Sequence, residues 1–334
     1  MRRMKKIGFF VLFFAGGVAL FWWTIDHIGW QEIFQAAQNF SFVQAVVILL
    51  LTLAMVIVGI WRWRMILGYT GYSLPLRKLS GLFLGGFGIT YFVPMVILGG
   101  ELFRAYALKE QHQIPFQKGL ASVSIERILE ITTNFFFGII GLLVLAFQTE
   151  TIPPKGVLAL MAVALIFGIV ILFFYFQSFR RESILHIFFR KRDSDLDGLE
   201  QDVLGFFYWK NRWLRIGFAL SLLRSGIAFA RTIVLIFFLT NTIELLPALS
   251  ILGFYYIALL LPISALLGSH DALQAFAFQA FGLQPSGGAA FALIIRGVEF
   301  LVAIVGLIIV SVTGTRLFIR RTLGRVEGIV RHLP

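Results

Sequence analysis

Six apolar stretches of about 20 residues or more constrain this chain beyond anything else in its sequence. They are residues 7–24, 42–67, 121–147, 157–177, 216–239 and 290–312. A helix of that length crosses a hydrocarbon core of about 30 Å, where each backbone polar group has to be satisfied within its own segment. Composition fits the same solvent: 59% of the 334 residues are hydrophobic and 14% are charged, which excludes a water-soluble globular or disordered class. The expected fold class is an all-α polytopic membrane protein, with residues 1–334 forming one integral membrane domain. "MRRMKK" ahead of the first stretch has the form of a signal-peptide n-region, but "GGVALFWWT" offers no small-residue cleavage site, so a retained signal anchor is expected. The chain has no cysteine, hence no disulfide framework and no thiolate metal site.

Two further apolar segments, 79–106 and 245–281, are cut by Pro94, Gly99 and Gly100 and by Pro262 and Gly268. Proline removes a backbone donor and clashes with the preceding turn, while glycine permits a tight reversal. Each segment is therefore expected to dip into the bilayer and return to the same side as a re-entrant helical hairpin. The break in "FVPMVILGGELFRAY" then carries Glu101 inside the protein, because irregular backbone at membrane depth is tolerated only when buried in protein or lining water.

Charge placement sets the expected topology. With a cytoplasmic N-terminus and two hairpins, the outer loops hold only Lys155 among the 29 Lys and Arg, and Arg127, Arg224, Arg231 and Arg296 lie within spans. All the others, including Arg62 and Arg104, fall on the inner side, as the positive-inside rule requires. Both termini are thus expected in the cytoplasm, with residues 178–215 as a cytoplasmic interfacial linker. Trp22, Trp23 and Trp30 would mark the outer boundary, and Trp61, Trp63, Trp209 and Trp213 the inner one.

The same reading exposes an internal echo. Pro94, Gly100, Glu101, Pro115, Arg127 and Glu130 are matched in order by Pro262, Gly268, Asp271, Pro285, Arg296 and Glu299. The two copies, 79–147 and 245–312, would enter from opposite faces, forming an inverted pseudo-repeat of hairpin plus helix. The fold expected is six spanning helices plus these two opposed hairpins.

A charged side chain at a helix centre costs about 2.5 to 3.5 kcal/mol on insertion scales, so Arg127 and Arg296 need a partner or a purpose. Arg224 and Arg231, seven apart, share one helix face. Guanidinium groups bind phosphate bidentately, and freed N–H groups at half-helix ends add anion contacts. The bland alternative is that Arg127 with Glu126 or Glu130, and Arg296 with Glu299, are internal ion pairs that orient helices. Gly81 and Gly85 read as a helix-packing face. His270 beside Asp271 reads as a proton relay or a local hydrogen-bonding residue. The remaining histidines have no metal-ligand spacing, and neither a metal nor a cofactor is expected.

"VPMVILGGELFRAY" with "ASVSIERILEI", and "LPISALLGSHDALQAF" with "IIRGVEF", resemble the lysylphosphatidylglycerol synthase transmembrane, or flippase-like, family over nearly the whole chain. The resemblance implies a polytopic inner-membrane protein handling lipid headgroups or polyprenyl-linked carriers, sometimes fused to a soluble aminoacyl-transfer domain. No such domain is read in these residues, so lysyl transfer is not expected. Where such proteins often carry Arg-Glu after the second glycine, this chain has His270 and Asp271.

The lead expectation is translocation, without chemistry, of an anionic lipid or polyprenyl-phosphate-linked intermediate. Glu101, Arg104, Arg127 and Glu130 would form one half-site and Asp271, Arg296 and Glu299 the other, with Arg224 and Arg231 attracting phosphate between them and His270 among the substrate-binding residues. Alternatives are a membrane-embedded glycosyl or lipid transferase with Glu101 or Asp271 as base, and a non-transporting partner of an envelope-lipid enzyme. Nucleic acid is not an expected partner, despite the formal charge of +12.

Overall fold

A computed structural model describes residues 29–38, 40–92, 99–148, 154–180, 194–208, 210–260 and 269–330, with Trp22 and Asp26. Among them the secondary structure is entirely helical: α1 (Trp30–Gln38), α2 (Phe42–Tyr69), α3 (Leu76–Phe92), α4 (Gly99–His112), α5 (Phe116–Gln148), α6 (Pro154–Arg180), α7 (Ser194–Phe206), α8 (Arg212–Thr240), α9 (Leu245–Leu260), α10 (Ser269–Ala280) and α11 (Pro285–Val330). Four helices are long and apolar enough to cross a membrane, at Phe42–Tyr69, Phe116–Phe147, Arg212–Thr240 and Pro285–Val312. They coincide with four of the six expected spans. The expected span 7–24 lies outside the described residues, and the one at 157–177 falls within α6.

Local chemistry starts and stops these helices. Ser41 caps α2 reciprocally with Gln44, and the Asn211 side chain accepts from the Trp213 amide at the start of α8. Asn241, at φ 56°, ends α8 in the left-handed region. Gln113 (φ 57°) and Gly282 (φ 74°) turn the chain just before Pro115 and Pro285, whose fixed φ suits the entry into α5 and α11.

Both interrupted segments are helix pairs. α3 stops at Phe92 and α4 begins at Gly99; α9 stops at Leu260 and α10 begins at Ser269. The prolines and Gly268 lie in residues 93–98 and 261–268, outside the described residues. α4 runs back along α3, with Gly100 against the Gly86 carbonyl and Thr90 and with Phe103 beside Gly85, and a side chain added at Gly100 would meet that carbonyl. The packing role expected of Gly85 is the one it has: its face also meets Val310 of α11. α10 likewise runs back along α9, where Gln274 donates to the Ile251 carbonyl and His270 lies 5.3 Å from Tyr255, ring to ring.

The first member of each pair packs on the long helix that follows the other pair. α3 meets α11 where a Cβ on Gly88 would lie 2.8 Å from the Ala303 carbonyl and one on Gly306 would collide with the Leu84 carbonyl. α9 meets α5 through Gly141 and Gly253, and Ser250 donates to the Gly141 carbonyl at 2.9 Å. Small residues allow such backbone approach where lipid supplies no hydrophobic driving force. Four apolar core clusters lie among the described residues, two of them around these contacts or beside them. One joins Leu145, Ile236, Phe254, Phe278 and Phe291, and the other joins Trp63, Leu79, Leu82 and Leu108. Trp63 is fully buried and donates to Ser122 at 3.2 Å, so it is a core residue and not the boundary anchor its neighbours suggested. Trp61, half exposed, points outward. α6 turns Leu165, Ile166, Ile169, Val170 and Leu172 outward, the pattern of a helix facing hydrocarbon.

A branched side chain at Gly306 has no room against α3, whereas Gly297 on the same helix faces open space. Gly306→Val should lower the thermal midpoint of detergent-purified protein by several degrees, on the order of 1–3 kcal/mol of overpacking. Gly297→Ala should leave it unchanged or raise it.

Candidate functional site

The charges that helices carry into this apolar bundle are gathered into ion pairs. On α5, Glu126 and Glu130 lie one turn apart and share a face, whereas Arg127, adjacent to Glu126, turns away from it. Glu126 accepts from Arg62 of α2 at 3.2 Å and from Arg104 of α4 at 2.6 Å. Arg62 also donates to Ser221 of α8 at 2.9 Å. The Arg104 guanidinium lies over Trp63 at 4.8 Å and near Phe83 at 5.3 Å, a cation–π seat that keeps it among aromatic faces. Three helices thus meet at one carboxylate, and Arg62 ties a fourth, α8, to them.

The second group begins at the start of α4. Glu101 lies 3.9 Å from Arg127, which also donates to Glu130 at 3.3 Å. Glu130 accepts from Arg224 of α8 at 2.8 Å. Glu101 is 8% exposed, and its Oε2 is buried without a hydrogen-bond partner, as is the Nε of Arg224. Arg127, 37% exposed, is the most open guanidinium of the set.

The third group sits at the other helix pair. Asp271, at the start of α10, pairs with Arg296 of α11 at 2.9 Å. Glu299 accepts from Arg231 of α8 at 3.4 Å and from the Tyr255 hydroxyl at 2.8 Å. Arg231 is fully buried, donates to Thr52 at 3.1 Å and lies 5.8 Å from the Tyr255 ring. Tyr91 of α3 donates to the Arg296 carbonyl at 3.1 Å. In both groups the acid opening the short helix meets the arginine of the next long helix, and the glutamate three residues on meets an arginine of α8. Arg224 and Arg231 stand about 10 Å apart along that helix.

Every expected site residue except Arg104 and His270 belongs to these last two groups. Arg104 pairs with Glu126, and its guanidinium lies over Trp63. His270 is buried against Tyr255. Of the pairs that the ion-pair alternative named, Arg127 with Glu130 is present. Glu126 instead faces Arg62 and Arg104, and Arg296 pairs with Asp271 while Glu299 is engaged by Arg231 and Tyr255. Sequence reasoning missed Arg62 and Glu126 as a pair. The available signal was three charges, Glu126, Arg127 and Glu130, within an otherwise apolar span, of which two point the same way. Among the described residues no group of His, Asp or Glu could hold a metal ion.

The family described as the lysylphosphatidylglycerol synthase TM region matches residues 7–306. A UPF0104 membrane protein of Methanocaldococcus jannaschii is 29% identical over 111 residues, and the match covers 33% of this chain and 33% of that relative. No solved structure matches the chain.

Glu126 is the shared anion of two buried guanidiniums, and removing one partner of a buried pair costs about 3–5 kcal/mol. Glu126→Gln should therefore lower denaturation midpoints sharply. Lys118→Ala, which breaks the more exposed pair with Asp202, should cost no more than about 1 kcal/mol.

Proposed function

The chain belongs to the lysylphosphatidylglycerol synthase transmembrane-region family, and from that premise we propose that it moves an anionic lipid, or a polyprenyl-phosphate-linked intermediate, across the cytoplasmic membrane. In this reading residues 79–147 and 245–312 are the two halves of an inverted repeat. Their helix pairs are re-entrant hairpins entering from opposite faces, beside six spanning helices that include 7–24 and 157–177. Both termini and the linker 178–215 face the cytoplasm.

One observation carries the reading: α8 places Arg224 on Glu130 and Arg231 on Glu299, joining two ion-pair groups of matching design. Discontinuous helices that bring their N-terminal ends together near the midplane form the usual seat of a transported anion. Arginines held by exchangeable carboxylates suit a phosphate that must bind and leave. Movement follows from exchange: a headgroup oxygen replaces a carboxylate on one half-site, and α8 relays the change to the other. Glu101 and Asp271 would then border one central site.

Proteoliposomes with a headgroup-labelled anionic lipid test this directly. The native chain should carry label between leaflets without altering it, and Arg224→Leu combined with Arg231→Leu should reduce the rate at least about tenfold, as expected for losing two charge-assisted contacts. Chemical change of the headgroup would favour a transferase. Binding without movement would favour a partner of an envelope-lipid enzyme. The topology has its own check: a cysteine placed at Lys109 or Arg325 should resist an impermeant thiol reagent added outside intact cells, and labelling there would remove the double-hairpin arrangement.

A further inference from the structure

The two ion-pair groups of matching design differ at one carboxylate. In the first, Glu130 is held by two guanidiniums, one on each oxygen: Arg224 donates to Oε1 at 2.8 Å and Arg127 to Oε2 at 3.3 Å. In the second, Arg296 pairs with Asp271, and Glu299 accepts from Arg231 at 3.4 Å and from the Tyr255 hydroxyl at 2.8 Å. Both of these contacts fall on Oε1. A neutral phenol therefore stands where the first group has a second guanidinium.

That difference changes what the carboxylate can do. A guanidinium has only donors and pairs with a carboxylate as an anion, whereas a tyrosine hydroxyl donates to a carboxylate oxygen or to the carbonyl oxygen of a neutral acid. Glu299 can take a proton on Oε2 and keep its bond from Tyr255. Arg231 cannot adapt in the same way. It is fully buried, it also donates to the Thr52 hydroxyl, and its Nε has no hydrogen-bond partner. Without the charge of Glu299 it is an uncompensated cation in a low-dielectric interior, which is costly until an anion arrives.

The other titratable groups around this carboxylate have their own contacts. Asp271 of α10 and Arg296 of α11 hold each other at 2.9 Å, and Tyr91 of α3 donates to the Arg296 carbonyl. Tyr256 of α9 lies 5.6 Å from Tyr255, ring to ring. α2 contributes Thr52, which does not titrate. His270, 5.3 Å from the Tyr255 ring, is the alternative proton carrier.

We propose that Glu299 is a proton-binding site, and that one proton enters it with each negative charge that Arg231 receives. This rests on the lipid-translocation reading and adds its coupling ion: a singly charged headgroup and a proton move together without net charge. Glu130, clamped by two arginines, takes no proton in that step.

The test adds short-chain, water-soluble phosphatidylglycerol to the full chain in detergent and dilute buffer at about pH 7, where the phosphodiester does not titrate, and follows protons with an indicator dye. The native chain should take up about one proton per bound lipid. Glu299→Gln should take up none, while Glu299→Asp, which keeps a titratable group, should retain uptake. His270→Asn and Lys118→Gln should retain it as well. Absence of uptake by the native chain, or uptake that persists in Glu299→Gln, would overturn the assignment. Loss in His270→Asn with persistence in Glu299→Gln would move the proton to His270.

Proteoliposomes separate this proposal from the reading beneath it. A gradient of about one pH unit should drive headgroup-labelled phosphatidylglycerol toward the alkaline leaflet by up to about tenfold with the native chain, and have no such effect with Glu299→Gln. Movement that ignores the gradient, without proton uptake in detergent, would overturn the coupling and leave translocation standing. Uptake without movement would keep the proton site and remove translocation.

Discussion

A charge brought into an apolar bundle has to meet its opposite there, and the arrangement of this protein follows from that requirement. Glu126 is the clearest case. One carboxylate on α5 draws Arg62 from α2 and Arg104 from α4, and Arg62 in turn reaches Ser221 on α8. The pairing fixes four helices against one another where hydrophobic packing alone gives no direction, since lipid is as apolar as the side chains. Replacing such a cluster with hydrocarbon is often neutral or better for stability, so its retention points to specificity or function.

Glycine does for backbone what the arginines do for charge. Gly88 with Gly306 and Gly141 with Gly253 let helices approach until carbonyls and Cα atoms touch, and these contacts seat α3 on α11 and α9 on α5. The acids at the starts of α4 and α10 are thereby brought to the arginines of α5 and α11. Packing and electrostatics act on the same helices, and a change in either would be felt by the other.

Much of this was legible in the sequence. Hydropathy located α2, α5, α8 and the membrane-crossing part of α11 to within a few residues, because a span must be apolar over a fixed length, whereas α11 itself runs on to Val330. Interruption at Gly99 and the paired order of Glu101, Arg127 and Glu130 with Asp271, Arg296 and Glu299 pointed to the residues that meet. Partner choice was not legible. Arg62 sits in "WRWRM", which reads as an inner-boundary belt, and only the three-dimensional approach of α2 to α5 shows that it points inward. Arg296 has Glu299 at the ideal helical spacing, yet pairs with Asp271, while Tyr255 and Arg231, distant in sequence, engage Glu299. Local spacing states which pairs are available, and long-range contacts decide among them.

The most direct measurement is an experimental structure of the full chain in nanodiscs that contain phosphatidylglycerol. The account predicts a lipid phosphate within about 3 Å of the Arg224 or the Arg231 guanidinium, the distance of a charge-assisted hydrogen bond, with Glu130 or Glu299 displaced from it. Arg224 still held by Glu130 and Arg231 by Glu299, with every lipid phosphate confined to the membrane surface, would contradict it.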